Sequence, residues 1–249
     1  ISAGVDWYDK EVLRAHGIRL ASAAGVNAAA VAEHAMALIL ALRRHLQIAR
    51  DNPRAHHWRP MVAQIADRED ELGGKTLLVV GMGRIGGRLA ELAKVFGMRV
   101  IGIRRHPARG PGSADAVYGG DRLREALAEA DVVALTCPLT PETENLIGAE
   151  AIAAMRGSAH LINVARGRVV DETALIAALQ EGRIAAAGLD VTREEPLSAS
   201  SPLWEMPNVI VTPHVGGETQ RYEDGVIDIL LDNLGRLWRG ETALRNQVV

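Results

Sequence analysis

Residues Leu77–Ala90, LLVVGMGRIGGRLA, decide how the rest of the chain is read. Leu77 to Val80 is an unbroken apolar run, the pattern of a strand covered on both faces. Gly81-Met-Gly83-Arg-Ile-Gly86 follows at once, and Leu89 to Phe96 has the amphipathic spacing of a helix. A lone G-x-G-x-x-G run is weak evidence. A strand before it and a helix after it supply the context the motif needs. Gly81 then permits a tight turn, Gly83 lets a pyrophosphate approach the backbone, and Gly86 lets helix and strand pack closely. The helix N-terminus presents N–H groups and a partial positive charge to the phosphates.

Outward from this stretch, strands and helices alternate. Strand Arg99–Ile103 comes next, then a Gly- and Pro-rich loop over 104–120 with a short strand near Val117. Helix Leu123–Ala130, strand Val132–Leu135, helix Ala149–Met155 and strand Leu161–Asn163 follow. Thr140 and Pro141 read as the cap and first turn of a further helix. Asp171 caps a helix to Glu181, with Gly182 just past its end. Ala186–Val191 and Val209–Thr212 are the last strands, and Gly225–Trp238 is a closing amphipathic helix. Before the motif, Ile1–Asp6 reads as a strand end and loop, Asp9–Ala15 as a short helix stopped by Gly17, and Ile18–Ala21 as a strand. Asn27 caps a long helix from Ala28 to about Arg50, ended by Pro53, and residues 51–74 form a polar connector. The alternation predicts an α/β fold: a doubly wound parallel sheet, a Rossmann-type nucleotide-binding domain.

Composition narrows the function classes. The chain has 249 residues, 48% of them apolar, and a net charge of −3 from 28 basic and 31 acidic side chains. That balance offers no electrostatic footprint for nucleic acid or an anionic membrane. Aromatic residues at 3% are too few for base-stacking platforms. Cys137 is the single cysteine, so no intrachain disulfide forms, which suits a reducing, cytoplasmic setting. The most apolar run, Ala35–Leu42, is far short of the roughly 20 residues a membrane helix needs. No metal site is expected.

Three polar residues follow late strands, at the sheet edge where open α/β folds bind ligands. Arg166 follows Leu161–Val164, Glu195 lies beyond Gly188–Val191, and His214 follows Val209–Pro213. A histidine supported by a carboxylate keeps a proton near neutral pH and can donate it to a forming alkoxide. An arginine can hold a carboxylate with two donors and polarise a neighbouring carbonyl. Strand Arg99–Ile103 ends in Arg104-Arg105, where dinucleotide folds commonly place an acid for the ribose 2′-hydroxyl. Two guanidinium groups there suit a 2′-phosphate instead, with Arg109 as a further contact, so NADP is expected and NAD is possible.

Taken together, GMGRIGGRLA, CPLTPET (137–143), INVARGRVVDETALIAAL (162–179), AAGLDVTREEPL (186–197) and NVIVTPHVGG (208–217) resemble the D-isomer-specific 2-hydroxyacid dehydrogenases. The resemblance covers nearly the whole chain. It implies hydride transfer between a nicotinamide cofactor and a small 2-oxo acid. It implies Arg166 as the substrate-binding arginine, His214 as proton donor and acceptor, Glu195 as its partner, and Asp190 near the nicotinamide. Further cofactor contacts are implied at Arg84, Ile85, Cys137, Pro138, Thr143, Val164, Ala165 and Gly216. Ala3, Gly4 and Val5 resemble the loop whose amides hold the substrate carboxylate. The resemblance also implies a discontinuous substrate domain, residues 1–25 with 219–249, short of its opening strands, around a dinucleotide-binding domain at 26–218. A homodimer is expected through the apolar face of the helix that starts at Ala28. Two other readings stand beside the dehydrogenase: a cofactor-sensing corepressor-like protein, and a phosphite-dehydrogenase-like enzyme. A formate-dehydrogenase-like enzyme is disfavoured, because there the histidine's partner resembles a glutamine.

Overall fold

Every residue of Thr76–Val80 is buried, which is what an apolar run at the centre of a sheet requires. The computed structural model describes residues 4–54, 56–65 and 68–249. In chain order its main elements are α1 (Lys10–Ala15), α2 (Ala28–Arg43), α3 (Leu46–Arg54), β1 (Thr76–Val80), α4 (Arg84–Val95), β2 (Arg99–Ile103), β3 (Ala116–Tyr118), α5 (Leu123–Glu129), β4 (Val132–Leu135), α6 (Ala149–Ala154), β5 (His160–Asn163), α7 (Glu172–Gln180), β6 (Ala186–Leu189), β7 (Val209–Val211) and α8 (Tyr222–Trp238). The seven strands form one sheet in the order β3-β2-β1-β4-β5-β6-β7, parallel throughout. The order reverses between β1 and β4, and that switch point is where ligands of such sheets bind.

Contacts divide the chain into two units, residues 1–31 with 217–249, and residues 32–216. The larger holds the sheet. Its core packs Leu78, Val80, Ile101, Leu127, Leu135, Ile152 and Leu161 with their neighbours, all close to fully buried. In the smaller unit, Asp9 caps α1 by accepting from the Glu11 and Val12 amides, and Ala21 bridges antiparallel to Gln247.

Several local expectations are corrected. The helix expected over Ala28–Arg50 breaks into α2 and α3, because His45 takes a left-handed φ of 51° between them. The second piece runs one residue beyond Pro53. Thr140-Pro141 starts no helix. The segment closes as a turn, in which the Thr140 amide donates to Thr143 Oγ1 at 2.8 Å. That side-chain bond replaces the cap needed for helix growth. Ile18–Ala21 makes a single bridge rather than a strand. The apolar face of α2 lies inside the chain: Ala32, Ala35, Leu38, Ile39 and Leu42 are all nearly inaccessible. It is a core face, so the expected basis for a dimer through α2 falls away. Among the described residues no helix is long and apolar enough to cross a membrane.

At the amino edge of the sheet, His160 opens β5 and is buried, and its Nδ1 has no hydrogen-bond partner among the described residues. Burial, helped by the positive charges of Arg43 and His45, pushes its pKa down to about 4. The folded chain therefore prefers neutral His160, while the unfolded chain binds a proton near the ordinary value of 6.5. This stabilisation is complete above that value and is lost as pH falls from 6.5 toward 4, about 3 kcal/mol over the whole window. Urea unfolding midpoints should fall between pH 7 and pH 4.5, and His160→Leu should flatten that slope. An equally steep slope in the variant would assign the loss to other groups.

Candidate functional site

The strands end in a common row. The pairing register aligns Ile103, Val80, Leu135, Asn163, Leu189 and Val211 across β2, β1, β4, β5, β6 and β7. The residues that follow each strand therefore emerge along one edge, at about 4.8 Å per strand spacing. Gly81–Gly86 follows β1, Arg104-Arg105 follows β2, and Cys137-Pro138 follows β4. Val164–Arg166 follows β5, Asp190 and Glu195 follow β6, and His214 and Gly216 follow β7. The fold thus gathers these expected site residues of the larger unit on one edge. Ala3 lies outside the described residues, and Gly4 and Val5 belong to the smaller unit.

The glycine turn is locked on three sides. Its Gly81 and Met82 amides donate to Ile103 O, and Thr136 Oγ1 donates to Gly81 O at 2.8 Å. Gly81 has φ 109°, and a Cβ there would lie 2.5 Å from the Cys137 nitrogen. A Cβ on Gly86 would lie 2.4 Å from Gly81 O, so helix and turn touch backbone to backbone. Gly83 differs, since a Cβ there meets nothing within 4 Å. It is also the N-cap of α4, without a side-chain cap bond. An open turn at a helix N-terminus, just before Arg84 and Ile85, fits the pyrophosphate of a dinucleotide.

At the distal end of the row, Arg104 Nη1 donates to Gly110 O at 3.1 Å, and Arg105 is largely exposed with Glu142 at 3.9 Å. Arg109 sits in the adjoining 3-10 turn. Thr143 is committed to its own loop, donating to Pro138 O at 2.7 Å. Burial pushes the Cys137 thiol up to about 11, so at neutral pH it carries no charge. Val164 and Ala165 are buried beneath the edge.

Arg166, Asp190, Glu195 and His214 lie in the segments that follow β5, β6 and β7. His214 Nδ1 lies 2.8 Å from Glu195 Oε2, and Glu195 Oε1 accepts from the Thr192 amide at 3.2 Å. Both side chains remain partly open to solvent. His214 has φ 56°, a left-handed backbone held by bonds from its amide to Asp190 O and Thr212 O. Arg166 Nη1 donates to Ala165 O at 2.7 Å. A Cβ on Gly167 would fall 1.9 Å from Thr192 O, so the loop carrying Arg166 is pressed against the loop carrying Glu195.

Asp190 is buried, with its carboxylate taking the Thr212 hydroxyl at 2.7 Å, the Val215 amide at 3.0 Å and the Gly216 amide at 2.9 Å. Burial alone would raise its pKa, but the His34, Thr212 and Gly216 donors outweigh it and hold the carboxyl at about 2. Sequence reading missed four supports. Asn163, nearly inaccessible, donates to Arg166 O and accepts from the Ala165 amide, clamping the arginine's turn. Thr136, Thr212 and His34 are the others. Asn163 and Thr136 end or follow apolar strands, and a polar residue at that boundary is the signal that was available.

Residues 36–216 match the family described as D-isomer specific 2-hydroxyacid dehydrogenase, NAD binding domain. Glyoxylate/hydroxypyruvate reductase B of Escherichia coli (strain K12 / DH10B) is 42% identical over 236 residues, 94% of this chain and 72% of that one. A glyoxylate reductase from Paecilomyes thermophila superposes with a TM-score of 0.86 at 31% identity, over 99% of this chain and 73% of the other. An acyclic imino acid reductase in complex with NADPH and D-Arg superposes with a TM-score of 0.88 at 26% identity, over 100% and 76%.

The two glycines separate binding from folding. Gly83→Ala should keep the fold within about 1 kcal/mol, because its Cβ enters open space, yet weaken binding of a reduced nicotinamide dinucleotide at least about tenfold by filling the cradle. Gly86→Ala should destabilise by about 2 kcal/mol or more through backbone overlap. Urea unfolding and fluorescence titration with the reduced nicotinamide dinucleotides check this for both variants. Tight dinucleotide binding by the Gly83 variant would move the phosphates elsewhere.

Proposed function

This chain belongs to the D-isomer specific 2-hydroxyacid dehydrogenase family of NAD(P)-dependent oxidoreductases, and on that premise we propose that it reduces a small 2-oxo acid to the D-2-hydroxy acid, with NADPH favoured over NADH. The observation that carries the reading is the His214–Glu195 pair at 2.8 Å, on the same sheet edge as the Gly81–Gly86 turn. Glyoxylate and hydroxypyruvate are the first substrates to try, being named for the relatives above.

The residues divide the work. The bound nicotinamide supplies the hydride. Glu195 occupies Nδ1 of His214, which leaves Nε2 to give a proton to the substrate oxygen in reduction and to take one back in oxidation. Arg166 holds the substrate carboxylate and polarises the carbonyl through its planar fork of donors. Asp190 fixes the backbone that carries His214. Gly4 and Val5, with Ala3, are assigned the substrate carboxylate. Arg104 and Arg105 take the 2′-phosphate of NADPH through charge-assisted bonds, where a carboxylate would repel it. A homodimer belongs to the same proposal. Its support moves from α2 to the connector, where Trp58, Met61 and Ile65 are 94%, 85% and 78% exposed.

Three measurements test this reading. With a good 2-oxo acid, kcat/KM should be higher for NADPH than for NADH, and Arg104→Asp should reverse the order. An NADH preference in the unmutated protein would overturn the cofactor assignment alone. Arg166→Lys should lose on the order of 10²-fold in kcat/KM. Near-wild-type kinetics would make that arginine structural. Glu195→Gln should lower kcat for reduction on the order of tenfold, since a neutral amide supports the proton-donating ring less than a carboxylate does. An unchanged kcat would remove Glu195 from the acid–base pair.

A further inference from the structure

We propose that His34, on α2, is a positioning residue that aims His214 through Thr212 and Asp190. The inference rests on the reading of His214 as the proton donor. His34 Nε2 lies 2.9 Å from Thr212 Oγ1 and 3.3 Å from Asp190 Oδ1, and its side chain is 22% exposed.

Proton counting fixes the direction of the chain. An ionised carboxylate only accepts, so the 2.7 Å contact between Thr212 Oγ1 and Asp190 Oδ1 uses the single proton of the threonine hydroxyl. Thr212 Oγ1 then has only lone pairs to offer His34. His34 Nε2 must therefore carry hydrogen and donate, which sets its tautomer. The relay runs from the His34 N–H to Thr212 Oγ1, and from the Thr212 O–H to Asp190 Oδ1.

Asp190 passes the constraint on. Its two oxygens take the amides of Val215 and Gly216, and its carbonyl takes the amide of His214. Those are three consecutive peptides, and the first is the left-handed one. Such a backbone is strained for a residue with a Cβ, so it persists only where its surroundings dictate it. His34 is packed as well as bonded. A Cβ on Gly216 would lie 2.7 Å from Asp190 Oδ2 and 3.0 Å from His34 Cδ2. Imidazole, carboxylate and the 216 backbone thus form one contact, and turning the carboxylate would release the loop that points His214.

A donor role and a packing role rank two variants oppositely. His34→Leu keeps apolar bulk and removes the N–H. His34→Gln keeps an N–H donor of similar reach on a polar chain. Positioning predicts that His34→Leu lowers kcat on the order of tenfold, with KM for the 2-oxo acid and for NADPH changed less than about threefold. His34→Gln should restore most of the loss. A second readout needs no turnover. Hydrogen exchange of the Val215 and Gly216 amides, measured by NMR, should accelerate at least about tenfold in His34→Leu and much less in His34→Gln. Unchanged exchange in His34→Leu, unchanged kcat in that variant, or better function in the leucine than in the glutamine variant would each overturn the proposal. If the unmutated protein turned over no 2-oxo acid, the functional reading would fall, and with it the purpose assigned to His34, while the exchange measurement would still decide whether the relay holds the loop.

Discussion

A buried carboxylate holds the reactive edge of this protein in shape. Asp190 follows β6, is 3% exposed, and stays ionised because its donors outweigh the loss of water. A charge buried without donors would be costly. Here each hydrogen bond to the carboxylate is also a tether on the segment after β7. The desolvation of one aspartate is thereby linked to the backbone geometry of one histidine. Without those tethers nothing would favour a left-handed His214 over an extended one.

A second constraint comes from sheet register. Because six strands end level with one another, short loops are enough to bring Arg104, the glycine turn, Arg166, Glu195 and His214 to one edge. The loops are then fastened to each other at contacts that exclude a side chain. Gly81 lies against Cys137, Gly86 against Gly81, and Gly167 against Thr192. Two of these contacts join neighbouring loops, and the Gly86 contact closes the glycine turn against its own helix. Gly83 is open by contrast: a Cβ there would meet nothing within 4 Å.

Charge is distributed by place rather than by total. The net charge of −3 says little about the site. Locally, basic groups follow β2 and β5 while carboxylates follow β6. The edge thus offers arginines for anionic groups and pairs His214 with a glutamate. At the opposite edge, His160 is kept neutral by burial and by Arg43 and His45, a stabilising arrangement remote from the strand ends that carry the chemistry.

The sequence by itself determined the fold class and which polar residues follow the strands. Short apolar runs such as Leu77–Val80, bounded by turn signals, are the pattern of strands covered on both faces, and a glycine pattern between strand and helix has one common structural solution. Period and turn chemistry are local properties, so local sequence carries them. The same locality explains the errors. Thr140-Pro141 carries a helix-start signal, but the Thr143 hydroxyl takes the Thr140 amide and closes a turn. The apolar stripe of α2 announced burial without saying against what, and the answer was this chain's own core. Only tertiary structure decided that Asn163 clamps the Arg166 turn, that Thr136 pins Gly81, and that His34 meets Asp190 across more than 150 residues of sequence. Those are pairings of single polar groups, made by strand order and register, and no periodicity in a linear chain encodes which donor will face which acceptor.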